Sequence, residues 1–94
     1  MNYENEITNE IHKEFIRATA LFDKKHSDYG KNNISISGQI GIVVRMMDKL
    51  ARIQNLLNKG NNPNYESMED SWDDLMNYAA IGKLIGNGKW EELA

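Results

Sequence analysis

Asp70, Asp73, Asp74 and Asn77 lie one, three and four residues apart within the segment Glu66 to Ile81, ESMEDSWDDLMNYAAI. On a helix this spacing places all four side chains on one face. Carboxylates stacked in this way repel unless a positive charge sits among them, and a hydrated divalent cation or the Arg and Lys of a neighbouring element are the two common solutions. The first is phosphate chemistry and the second a structural ion-pair network.

A matching basic group lies upstream, where Arg45, Asp48, Lys49 and Arg52 follow one another at steps of three and one. Guanidinium forks and ammonium groups suit phosphate oxygens. The functional reading therefore gives a magnesium ion to Asp70, Asp73 and Asp74 and a triphosphate to Arg45, Lys49 and Arg52. The plainer reading is a ladder of ion pairs between the two helices, and both hold if those pairs keep the empty site together. Of the two histidines, His12 reads as a surface residue. His26, beside Asp28-Tyr29-Gly30, is the better candidate, but it has no second histidine at metal-ligand spacing.

Composition sets the frame around these residues. A chain of 94 residues makes one domain and buries only about 60 to 65% of the surface that its unfolded form exposes, so self-association is expected. The absence of cysteine removes a disulfide scaffold, a thiolate zinc site and a cysteine nucleophile. No apolar run approaches the roughly 20 residues that span a bilayer, and the start MNYENEITNE is polar and acidic, so a cytoplasmic protein is expected. A net charge of -3 disfavours duplex nucleic acid as a bulk partner. A small charged ligand remains compatible with it.

The elements that must position the two stripes read as helices throughout. Ile7, Ile11, Phe15, Ala18 and Phe22 recur at helical spacing, predicting a first amphipathic helix over about 4–25. Gly30 and a run of Asn and Ser then predict a loop over 26–35, long enough for a functional role. A second helix follows over about 36–58, capped by Ser35 or Ser37 and stopped by KGNNPN. Its apolar residues, among them Ile42, Met46, Leu50, Ile53 and Leu57, cover more than half the circumference, which predicts a central helix packed on two sides. The third helix, about 67–86, opens on a capping-box-like Ser67-x-x-Asp70 and is expected to bury Met68, Trp72, Leu75, Met76 and Ala79. A tail over 87–94 carries Trp90 and Leu93, which either fold back or meet another subunit. The fold class is all-α, a small helical bundle.

Three segments in order, KKHSDYG (Lys24 to Gly30), RMMDKLARIQNLL (Arg45 to Leu57) and SMEDSWDDLMNY (Ser67 to Tyr78), resemble the nucleotide modification associated domain 1 family. This is a small helical domain of phages and bacteria, and the resemblance spans about Glu14 to Leu84. That family is similar in turn to the all-α nucleoside triphosphate pyrophosphatases of the MazG and dimeric dUTPase type. The resemblance implies a nucleotide-binding protein with a Mg²⁺ cofactor that hydrolyses the bond between the α and β phosphates.

In that mechanism Asp70 and Asp74 position the metal, while Lys49, Arg45 or Arg52 stabilises developing charge. Asp28 and Tyr29 contact the base or sugar, Gly30 permits the turn, Asn77 meets a sugar hydroxyl or orients an aspartate, and Tyr78 lines the nucleotide site. One departure matters: the second helix offers only Asp48 among basic residues, so half of the usual carboxylate set is missing unless Glu10, Glu14 or another subunit supplies it. Nucleotide binding is thus better founded than turnover. The alternative is a non-catalytic phage-type protein that sequesters a nucleotide signal or blocks a host defence protein.

Overall fold

Why the chain folds around its third long helix follows from where its apolar residues fall. The computed structural model describes residues 2–59 and 65–93, with the side chains of 28, 29 and 65–67 outside that description. Among the described residues there are five helices and no strand: α1 (Glu6–Tyr29), α2 (Lys31–Ser35), α3 (Gly38–Asn58), α4 (Tyr65–Gly86) and α5 (Lys89–Glu92). The all-α expectation holds. No described helix is long and apolar enough to cross a membrane.

Asn5 caps α1, its side-chain oxygen accepting from the backbone N–H groups of Ile7 at 2.8 Å and Thr8 at 3.3 Å. The loop expected over 26–35 is absent. The helix instead runs on to Tyr29, breaks at Gly30 and resumes as α2. Gly30 has φ 80°, a conformation that glycine adopts without a steric penalty, so one residue turns the chain where the Asn and Ser content pointed to ten. Gly88 repeats the device with φ 80° between α4 and α5. It sends the tail back over the bundle, burying Trp90, and Lys31 donates to the Leu93 carbonyl to close it.

Two further expectations change. Ser67 lies inside α4, which begins at Tyr65, so it does not cap the helix. The expected stop at 59–64 falls mostly outside the described residues. The face that α4 buries is also rotated: Ser71, Leu75 and Ile81 are buried, whereas Trp72 and Ala79 are exposed. Apolar residues are distributed around most of α4, so helical periodicity alone does not select a face. The C-terminal group Tyr78, Ile81, Leu84 and Ile85 decides it by packing with Ile42 and Trp90.

As a result α4 is the hub, packing on α3, α1 and α5. The second long helix is not central in the expected way. Ile42 is buried against α4 and Ile53 is also buried, but Leu50 and Leu57 face outward. Gly82 of α4 lies over Ile42, where a Cβ would sit in ordinary contact at 3.6 Å from Ile42 Cγ2. Ile42, only 2% exposed, anchors this contact. Replacing Ile42 by Ala should cost about 2–4 kcal/mol, as buried Ile-to-Ala changes do. In a domain with a small core, urea denaturation should show this as a large drop in midpoint, against a small shift for Ile16→Ala on the exposed side of α1.

Candidate functional site

Asp74 stands in the middle of the face that α4 turns inward, with a side chain only 15% exposed. A carboxylate in that position needs positive partners, and two helices supply them. Lys49 of α3 reaches Asp74 Oδ2 at 3.0 Å and Lys25 of α1 reaches Oδ1 at 3.2 Å. One carboxylate therefore joins three helices.

One turn further along α4, Asn77 donates from Nδ2 to the Ala18 carbonyl at 2.8 Å. Ala18 is fully buried and lets α1 come close. This bond uses one of the two Nδ2 hydrogens of Asn77 and fixes its side chain against the α1 backbone, leaving the second hydrogen and Oδ1 for other partners.

Above this junction opens a cleft of about 280 Å³ between α1, α2, α3 and α4. Lys25, Arg45, Lys49 and Asp74 line it together with Asn77 and Tyr78, and Phe22, His26, Asn33 and Ile34 complete it. Arg45 donates to the Asn33 carbonyl at 3.2 Å, which ties α2 to the rim. His26 stacks on Phe22 with ring centroids 5.2 Å apart and meets the edge of Trp90 at 6.4 Å. His26 Nδ1 and Trp90 Nε1 are both buried without a hydrogen-bond partner. Three cations face a single carboxylate here, in a chain whose net charge is -3.

The acidic stripe is split by the rotation of α4. Asp74 and Asn77 turn into the cleft, whereas Asp70 is exposed and Asp73 is half-buried beside Glu69 and Glu14. Burial, and then the charges of Glu69, Asp70, Glu14 and Asp74, push the Asp73 carboxyl above its usual range. These are hard oxygen donors of the type Mg²⁺ accepts. Yet among the described residues no three acidic, histidine or cysteine side chains gather as a metal-holding group, and Asp74 is engaged by two ammonium groups.

Arg52 is exposed and is not part of the cleft wall. The side chains of Asp28 and Tyr29 lie outside the described residues, while Gly30 serves as the helix break. Sequence reasoning missed Phe22, Lys25, Asn33 and Ile34. Lys25 carried a signal, since it shares with Ala18 and Phe22 the face that α1 packs inward, an unusual place for a lysine unless it is paired. Asn33 and Ile34 carried none, because only α2 brings them to the site.

No family model, curated protein or solved structure matches the chain. Its resemblance to a nucleotide-associated family therefore rests on the three sequence motifs alone.

The raised Asp73 pKa has a definite sign. Folding tightens its hold on the proton, so its favourable contribution is present at low pH and is lost as pH rises through the raised value. Replacing Asp73 by Asn should therefore raise the melting temperature at neutral pH, and the gain should vanish below about pH 4, where the unfolded carboxyl is also protonated. Thermal melts across this range check it; equal melting temperatures at pH 7 would mean that neither burial nor the surrounding carboxylates disfavour the charged Asp73.

Proposed function

We propose that the chain binds a nucleotide or a nucleotide-like phosphorylated small molecule in the cleft between α1, α3 and α4. The observation that carries this reading is the convergence of Lys25 and Lys49 on the lone carboxylate of Asp74, with Arg45 lining the same cleft. Two lysines held by one aspartate are a preformed anion site: a phosphate entering the cleft takes over ammonium hydrogens that Asp74 now accepts. Arg45, whose guanidinium spends one donor on the Asn33 carbonyl, keeps others for a phosphate oxygen. Phe22, His26 and Tyr78 give the cleft the flat side chains against which a base or sugar packs.

A second reading is Mg²⁺-dependent hydrolysis of a nucleoside triphosphate. It is favoured by one observation, the placing of the half-buried Asp73 beside Glu69, Asp70 and Glu14, where burial and the neighbouring negative charges raise its carboxyl above the usual range and a divalent cation would relieve it. Asp70, Asp73 and Asp74 would hold the ion together with several waters, and the ion would supply Lewis-acid stabilisation of the phosphate. Within the chain, Lys49 and Arg45 would orient the phosphate group and offset its charge. The carboxylates do not converge as a cage, so binding stands ahead of turnover. Binding without turnover is the behaviour of a sequestering protein.

Asp74→Asn separates the two readings, because its effect has opposite signs. In the binding reading Asp74 competes with phosphate, so calorimetry with nucleoside triphosphates should show affinity retained or raised, with Lys49→Ala and Arg45→Ala each weakening it by about 10-fold or more. In the hydrolytic reading the same variant should abolish Mg²⁺-dependent pyrophosphate release. Absence of heat for every common ribo- and deoxynucleoside triphosphate, with and without Mg²⁺, would remove both.

A further inference from the structure

The outward side of α3 is as apolar as its inward side. Ile36, just before the helix, and Ile40, Val43, Val44, Met47 and Leu50 within it are between 46% and 81% exposed. Their spacing of three and four residues draws a single stripe along the helix. No ionisable side chain lies within it; Arg45 borders it on the cleft side, and Asp48, Lys49 and Arg52 occupy other sides of the helix. Isolated exposed apolar residues are ordinary, whereas a continuous stripe of this kind marks an interaction surface.

The area of the chain identifies the occupant. Its accessible surface is 7116 Å², whereas a folded monomer of 10.8 kDa exposes about 5,500 Å². The excess, roughly 1,600 Å² per chain, is spread over this face and the exposed Ile7, Ile11, Phe15 and Ile16 of α1, and it is of the size that each partner buries in an obligate homodimer. The radius of gyration agrees: 14.8 Å against about 12 Å for a compact chain of this length. The shortfall in the core matches as well, with six apolar residues buried among those described. A stripe without charges is self-complementary, as a two-fold contact requires, because each copy offers the other the same uncharged face.

We infer that a second copy of this chain covers the outer face of α3, forming a two-fold dimer centred near Met47. The groove lined by Ile34, Ile36, Ile40, Val44 and Arg45 shares Ile34 and Arg45 with the candidate binding cleft. The dimer contact thus runs up to the outer rim of that cleft. This inference does not depend on what the cleft binds.

Analytical ultracentrifugation of the full chain over about 1–100 µM, alongside thermal melts at the two extremes, tests it. The expected result is a mass at least twice 10.8 kDa and a melting temperature that rises with concentration. Met47→Glu places a charge in the middle of the stripe without touching the core of one chain, and should raise the dissociation constant by about 100-fold or more. If that variant fails to fold, concentration-dependent melting of the unaltered chain still carries the inference. A monomer at every concentration with a constant melting temperature would overturn it and leave the face to a different protein. A dimer indifferent to both Met47→Glu and Ile40→Glu would overturn it equally.

Discussion

A single carboxylate in the wrong place for a carboxylate organises this bundle. Asp74 faces inward from the hub helix, and folding around it is acceptable only because Lys25 and Lys49 arrive from two other helices. The α1–α4 crossing, fixed by Asn77 and Ala18, determines where Lys25 stands. The α3–α4 contact, anchored by Ile42 against Ile81, determines where Lys49 stands. Positioning two cations in this way leaves a gap that no apolar side chain fills, and that gap is the cleft.

The same arrangement explains the lack of a tight carboxylate cage. Helical spacing brings Asp70, Asp73, Asp74 and Asn77 to one side of α4, but that side straddles the boundary between buried and exposed surface. Asp74 and Asn77 fall inside the boundary and Asp70 outside it. Asp73 lies between them and is disturbed by every neighbouring negative charge. A stripe that looks like one site in sequence is two environments in the fold, one electropositive and enclosed, the other electronegative and open.

Much of the fold was legible because helical periodicity is local. The three long helices follow from nearby side chains, and Gly30 was expected to interrupt the helical period, although as part of a loop over 26–35 and not as a one-residue break. What could not be read was rotation. Trp72 looked buried because it repeats with Met68 and Met76, yet the partners that decide the face, Ile42 and Trp90, are distant in sequence. The site was legible to the same extent. Arg45, Lys49, Asp74, Asn77 and Tyr78 were singled out from type and spacing, whereas Asn33 and Ile34 reach the cleft only through a helix that their Asn-rich surroundings concealed.

A central helix was also expected from the circumference of α3, and the stripe that led to it is present but faces outward. Pattern reports that a surface is apolar without saying whether its partner lies in the same chain. The central claim concerns the cleft and is tested most directly by an amide and side-chain NMR titration with a non-hydrolysable nucleoside triphosphate. The account predicts shifts at Phe22, Lys25, His26, Asn33, Arg45 and Lys49, with the Lys25 and Lys49 ammonium signals leaving Asp74. Shifts confined to Glu69, Asp70 and Asp73, or none at all, would contradict it.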